Sequence, residues 1–357
     1  MTSRTLALIL LGLAAAAAVW PGAVAAPRKG PPPQVLKSAV EVVTVDAQVL
    51  RKKTGSPLGS LTRDDFEVYE DGTRQQVTYF SQDTLPLSVV LLFDLTDSVR
   101  PVLKPLANGA LEALQHLKPE DEVAVMVYAA SAQLLQDFTT DRTLAVAAIE
   151  RASDMKSREA AFFNEGVFQA SAEAAKTKIP NSRRVIIWLT DNVPNIPSEQ
   201  MRRQYGKSVP AGSLHTQVDA MRELFDSDTS VTALLERSAL SDFSTATIND
   251  NPLFAPFRSM YPPGDVYKYA GETGGQVMPA SRAEVSGKLG NLISAIRTRY
   301  TLAYAPNVDR PTGRFCAIKL KLASEVEKRE GKLLIRAKRG YYRHQSATET
   351  ASSPPAL

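Results

Sequence analysis

VVLLFDLTDS, residues 89–98, is the stretch on which the fold turns. Five apolar residues, Val89 to Phe93, run without a polar interruption into Asp94, and Leu95, Thr96, Asp97 and Ser98 follow. An unbroken apolar run of this kind marks a strand buried on both faces, as in a parallel sheet covered by helices. A buried strand that stops on a carboxylate followed by two hydroxyls has three chemical uses. The oxygens can hold a hard metal ion, the carboxylate can act as a nucleophile, or it can cap a turn by accepting backbone N–H groups.

Outward from this stretch the chain alternates strand and helix. Residues 102–117 carry a helical stripe of Leu103, Leu106, Ala110, Leu114 and Leu117, in which Pro105 fits only a first turn. Val123–Tyr128 is a second apolar strand, and Asp141 is placed to cap a helix running through Ala152. A helix over 163–178 leads to a third core strand, Val185–Leu189, which also runs into a carboxylate, Asp191. A helix over 218–225, a strand over 230–235, a helix over 265–273 closed by Gly274-Gly275, and a helix over 286–299 complete the pattern.

Either side of this block the period changes to two. Val43, Val45, Ala47 and Val49 alternate with polar residues before it, and FEVYEDGTRQQVTYF (66–80) reads as a hairpin about Asp71-Gly72. After it, Tyr300, Leu302 and Tyr304, then Ile318, Leu320 and Leu322, then Leu333, Ile335 and Ala337 each form one strand face. Lys319, Lys321, Arg336 and Lys338, interleaved among them, are expected on a solvated face. Neither flank holds enough strands for a stable sheet alone, but together they suffice for a sandwich of about seven strands. The expected fold is therefore α/β, a doubly wound, mostly parallel sheet inserted in a small β-sandwich formed by the N- and C-terminal flanks. The expected organisation is a signal peptide over 1–25, a proline-rich linker over 26–37, sandwich parts over 38–84 and 300–343, the α/β domain over 85–299, and a disordered tail over 344–357.

The first residues have the layout of an export signal. Arg4 precedes an apolar run from Leu6 to Trp20, and Ala23-Val24-Ala25 fits a cleavage site before Ala26. The run is short of the roughly 20 residues a membrane span needs, so no transmembrane span is expected after cleavage. No twin arginine precedes the run, and no cysteine stands near the cleavage site. These features predict the general secretory route and a periplasmic or extracellular protein without a lipid anchor there. The single cysteine, Cys316, excludes an internal disulfide and reads as a small buried apolar residue. A net charge of +4, spread along the chain, gives no reason to expect nucleic acid.

In open α/β sheets, ligands bind beyond the C-terminal strand ends where strand order reverses. Asp94 and Asp191 both stand at such ends, and Thr96 and Ser98 are spaced so that both hydroxyls can turn the same way. Oxygen donors in small number suit Mg²⁺ or Mn²⁺ with several waters retained. No histidine or cysteine lies nearby in sequence to suggest zinc.

The Asp94-x-Thr96-x-Ser98 loop, the Leu189-Thr190-Asp191 strand end and the helices between them resemble a von Willebrand factor type A domain. The resemblance implies a metal-ion-dependent adhesion site, built in that family from an Asp-x-Ser-x-Ser loop, a threonine from a second loop and an aspartate from a third. Thr96 stands at the first serine position and keeps its hydroxyl. Carried over, Thr96 and Ser98 coordinate the ion directly, whereas Asp94 and Asp191 act through water or by orienting ligands. The flanks, DFEVYEDGTRQQVTYF, RYTLAYAP, GRFCAIKLKL and AKRGYY, resemble VWFA-related proteins described from Acidobacteria, so the likeness covers 38–343. The departure lies in the second loop. SREAAFFNEGVFQA (157–170) puts Ala161 at or beside the threonine position, with no hydroxyl between Arg158 and Phe168. Asn164 or Glu165 can substitute only if the loop is rebuilt.

The enzyme alternative is a haloacid-dehalogenase-like phosphatase with Asp94 as nucleophile, but Thr96 replaces the acid which that chemistry needs two residues later. No Gly-x-Ser-x-Gly elbow, phosphate loop or His-Glu-x-x-His is present, and His116, His215 and His344 are scattered. The expected function is non-enzymatic: an exported binding protein whose protein partner offers an acidic side chain to the site. The alternative is a metal-independent scaffold. Loops 193–217 and 236–264 are long enough to shape the rim.

Overall fold

The computed structural model describes residues 42–82, 85–157, 162–192, 215–236, 265–306 and 311–343. In chain order, β1 (Val43–Arg51), β2 (Phe66–Glu70), β3 (Thr73–Gln75) and β4 (Val77–Gln82) precede the α/β block. That block comprises β5 (Leu87–Asp94), α1 (Arg100–Leu114), β6 (Glu122–Tyr128), β7 (Ala132–Thr139), α2 (Arg142–Asp154), α3 (Phe163–Ala174) and β8 (Arg183–Thr190). It continues with α4 (Gln217–Asp226), β9 (Thr229–Glu236), α5 (Val266–Thr273), β10 (Val277–Ala280) and α6 (Val285–Arg297). Then follow β11 (Tyr300–Tyr304), β12 (Phe315–Leu322), α7 (Ser324–Glu330), β13 (Leu333–Ala337) and β14 (Gly340–Tyr342).

The six strands β5 to β10 form one sheet in the order β10-β9-β8-β5-β6-β7, parallel except for β7. Every residue of β5 is buried. Val89, Leu91 and Phe93 pack toward α1, α2 and α6, while Val90 and Leu92 pack toward α3, α4 and α5. Each such side chain contributes about 1.5–3 kcal/mol by leaving water, which is why the apolar run was so clear a marker. The chain passes from β5 to β6 on one side, and β8 and β9 lie on the other. The reversal therefore falls between β5 and β8.

Four local features differ from expectation. Helix α1 begins at Arg100, so Pro101 takes the first turn and Pro105 lies in the helix interior, where its missing N–H leaves the Pro101 carbonyl without its usual donor. β7 was not anticipated: it is an antiparallel edge strand of mixed exposure, and its register to β6 shifts twice. β10 and α7 were also not anticipated.

The flanks form two four-stranded sheets, β13-β1-β11-β4 and β14-β12-β2-β3, each drawing strands from both ends of the α/β block. Val45, Val49, Phe66, Val68, Tyr300, Leu302, Tyr304 and Ile318 fill the shared core. Cys316 is buried there too, as expected. The 66–80 segment is not a single hairpin. β2 and β3 do pair about Asp71 and Gly72, whose φ angles are 46° and 84°, but the chain then crosses to the other sheet and β4 pairs with β11.

The sandwich meets the α/β block at the N-terminal ends of the parallel strands, opposite the crevice. Arg183, first in β8, donates Nε to Asp46 Oδ2 at 3.0 Å, Nη1 to the Ile296 carbonyl at 2.9 Å and Nη2 to Thr301 Oγ1 at 3.0 Å. Arg299 donates to the carbonyls of Gly274 and Asp46. Burial opposes ionisation of Asp46, but Arg183 and Arg299 outweigh it and hold the carboxyl below its ordinary value. Phe225 of α4 packs on Phe315 and Tyr342 of the sandwich at 5.3 and 6.2 Å between ring centres. Lys319 and Lys321 face solvent as expected, whereas Arg336 and Lys338 do not form part of a free face. They bond Gln276 and Asp228 across the interface because β13 lies against α5.

Candidate functional site

Asp94 closes β5 with no exposed surface. Its Oδ1 accepts the Thr96 amide at 2.8 Å, folding the chain into a turn directly after the strand. Its Oδ2 accepts the Tyr128 hydroxyl at 2.9 Å. Tyr128 ends β6, in register with Asp94, and its own oxygen accepts the Trp188 indole N–H from β8 at 3.0 Å. The ring lies against α3, where a Cβ on Gly166 would approach it to 2.7 Å, so this helix position requires glycine.

The turn brings the predicted residues together. The Ser98 hydroxyl donates to Asp191 Oδ2 at 2.5 Å, and its oxygen lies 3.2 Å from that of Thr96. Asp191 follows β8 and is buried, while Thr96 and Ser98 are open to solvent in part. Beyond it, Asn192 adopts a φ of 58°, and its Oδ1 accepts the amide of Val266 at the start of α5. This contact locks the end of β8 to the neighbouring helix.

The electrostatics are those of two carboxylates sharing a desolvated corner. Burial first, and then the charge of Asp191, push the Asp94 carboxyl up to about 7, against the hydrogen bonds from Thr96 and Tyr128. Burial and the Asp94 charge push the Tyr128 phenol well above its usual value. The partners of Asp94 among the described residues are the amide and side chain of Thr96 and the Tyr128 phenol, none of them cationic. Nor do three or more His, Cys, Asp or Glu residues gather there into a metal-binding group. Two hydroxyls and the Asp191 carboxylate at one mouth, with a further carboxylate behind, fit a hard divalent cation that keeps water ligands. They do not fit a softer metal, which would want imidazole or thiolate.

The second loop is different. Ala161 lies outside the described residues, as do most of the two segments expected to shape the rim, over 193–214 and 237–264, and the segments 1–41 and 344–357, His344 included. Asn164 and Glu165 are described, and both are engaged elsewhere. Asn164 Oδ1 accepts the Tyr269 hydroxyl at 2.7 Å. Glu165 Oε2 accepts the His215 amide at 3.1 Å and lies 2.7 Å from its ring Nδ1. The His215 ring stacks on Phe168, 3.4 Å between centres. Asn164 and Glu165 are thus engaged by Tyr269 and His215, away from the Asp94 turn.

Tyr128, Trp188, Gly166 and Asn192 were missed by sequence reasoning, although the first two carry a polar atom on an otherwise apolar core strand. Glu236 was missed as well. It ends β9, whose register places it one step beyond Thr190–Leu235, level with Asp191, and it is buried.

Residues 89–193 match the family model of the von Willebrand factor type A domain. The matched span opens on β5 and closes two residues past Asp191, so it takes in both strand ends that form the crevice. Among solved structures the chain is similar to the vWF domain of the type V pili tip protein Mfa5 from Porphyromonas gingivalis, at 13% identity and TM-score 0.41, covering 60% of this chain and 95% of that one. It is similar to von Willebrand factor type A from Catenulispora acidiphila, at 10% identity and TM-score 0.41, covering 82% and 78%. It is also similar to the pilus adhesin SpaC from Lactobacillus rhamnosus GG, at 12% identity and TM-score 0.41, covering 81% and 49%. With TM-scores below 0.5, these likenesses carry no functional weight. A comparison with curated proteins found no match. Among the described residues, no helix is long and apolar enough to cross a membrane.

Proposed function

We propose that this is an exported binding protein that recognises another protein at the crevice rim, through a partly degenerate metal-ion-dependent adhesion site. The observation that carries the reading is the Ser98 hydroxyl, which touches both Thr96 and Asp191 and so draws two strand ends into one oxygen-lined mouth. Thr96 and Ser98 are the direct ligands in this reading, with Asp191 and Asp94 orienting them. A bound Mg²⁺ or Mn²⁺ would offer an open position to a partner's carboxylate. Export rests on the leader-like residues 1–25, and kinship with the Acidobacteria-type VWFA-related proteins rests on the flanking stretches alone.

The protein acts as a binder and not as an enzyme. Asp94, the nucleophile of the phosphatase alternative, is fully buried with both oxygens engaged, and Thr96 stands where a phosphatase needs an acid. A second reading, a metal-independent scaffold, is favoured by one feature: both oxygens of Asp94 accept donors from the protein itself, the Thr96 amide and the Tyr128 phenol.

Melting of the protein in EDTA, then with Mg²⁺ or Mn²⁺, tests the choice. A cation-dependent rise in Tm that disappears in Asp94→Ala is expected. No rise in the wild-type protein leaves the scaffold. Phosphate release from a generic phosphate ester, abolished by Asp94→Ala, would overturn the non-enzymatic reading.

A further inference from the structure

We propose that Tyr128 is the positioning residue of the crevice, its hydroxyl holding the Asp94 carboxylate in the orientation that presents Thr96 and Ser98 to a divalent cation. This rests on the cation-assisted reading above. A carboxylate held at one oxygen swings about its terminal torsion, which is broad and soft. Held at both, it is fixed. The Thr96 amide fixes Oδ1 and Tyr128 fixes Oδ2. The direction of the chain of hydrogen bonds is also determined. An indole nitrogen only donates, so the Tyr128 oxygen must accept from Trp188 and turn its own proton to Asp94. The chain crosses three adjacent strands, β8, β6 and β5, directly behind the site. The phenol cannot drift from this arrangement. Phe163 and Trp188 pack edge-on around it at 6.3 and 6.2 Å, and the bare backbone at Gly166 closes the remaining side.

The test uses the two tryptophans of the chain, Trp20 and Trp188. In the full chain carrying Trp20→Phe, emission reports Trp188 alone. Mg²⁺ affinity by calorimetry and Trp188 emission with and without Mg²⁺ are measured in this background and with Tyr128→Phe, Gly166→Ala and Ser98→Ala. Tyr128→Phe keeps the ring and removes one hydroxyl. Its Mg²⁺ affinity is expected to fall about 10–100-fold, the usual effect of losing an outer support of a metal ligand. At saturating Mg²⁺, Ser98→Ala is expected to retain the emission change and Tyr128→Phe to lose it, which a general loosening of the fold does not predict. Affinity within twofold of the parent, or a retained emission change in Tyr128→Phe, overturns the proposal and leaves the binding site standing. If the parent itself binds no Mg²⁺, the cation-assisted reading falls and this proposal with it. If Tyr128→Phe does not fold, Gly166→Ala decides, because its Cβ displaces the ring without altering it. A tenfold loss supports the assignment and unchanged affinity overturns it.

Discussion

The Ser98 hydroxyl lies 2.5 Å from Oδ2 of Asp191, so one hydrogen bond closes the gap between the loop after β5 and the end of β8, 93 positions apart in the chain. Ser98→Ala removes that closure. The expected cost is about 1 kcal/mol of stability without metal, read from the urea midpoint. Most of any cation-dependent rise in Tm is expected to vanish with it.

The pH dependence follows from Asp94. Its carboxyl stands at about 7 in the folded protein, against about 3.9 unfolded. The folded state therefore holds the proton more tightly. This contribution to stability is complete below about pH 4 and is lost as pH rises through 7. Asp46 is held low and stays ionised above pH 5, so it adds no slope in that window. In EDTA, calorimetry is expected to give a Tm lower at pH 8 than at pH 5.5 by on the order of 5 °C. Asp94→Asn flattens the difference.

Asp46→Ala tests the joint between sandwich and α/β domain. It strips the carboxylate from Arg183, which is 3% exposed, and from the Thr301 hydroxyl. The expected loss is about 3 kcal/mol, the low end for a broken buried pair, because the Asp46 side chain keeps 28% of its surface. Asp46→Asn retains an acceptor and should cost less. Equilibrium unfolding in urea separates the two.

Gly275 is a steric requirement. A Cβ there would meet the Val231 carbonyl oxygen of β9 at 1.7 Å. Gly275→Ala should cost about 4 kcal/mol or more, in the range reserved for severe core damage. Gly271→Ala, two residues from the end of α5 with no atom within 4 Å of its Cβ, is the control. It should stabilise by about 0.5–1 kcal/mol through helix propensity. A cost below 1 kcal/mol for Gly275→Ala would contradict the described packing.

What the residues revealed in advance follows their physics. β5 and β8 were legible because strands buried on both faces are apolar throughout, and a carboxylate at such an end is conspicuous. That Asp94 and Asp191 face one crevice was legible because sheets of this kind place their crevice at the reversal, whereas the Ser98–Asp191 bond itself was not. Tyr128 was not, since its role depends on the register between β5 and β6 and on a gap at Gly166, and neither is encoded locally. The break after β3 was hidden for a similar reason: β4 answers to β11, as the Thr78 bond to Ala303 shows across 225 positions. Pro105 sat past its expected turn because the helix starts at Arg100, three residues upstream of the apolar stripe.

The α/β domain leaves and rejoins the sandwich at one place. β4 leads into it and β11 leads out, the two strands pair through Tyr300 and Gln82, and Arg297 reaches the Leu85 carbonyl at 3.3 Å. A single linker lets a domain swivel, whereas a double-stranded hinge riveted by Arg183 resists torsion. A partner bound at the crevice, as proposed, would thus be carried at a fixed heading, about 25 Å of strand away from its mount, and a pull on it would be shared between two connections.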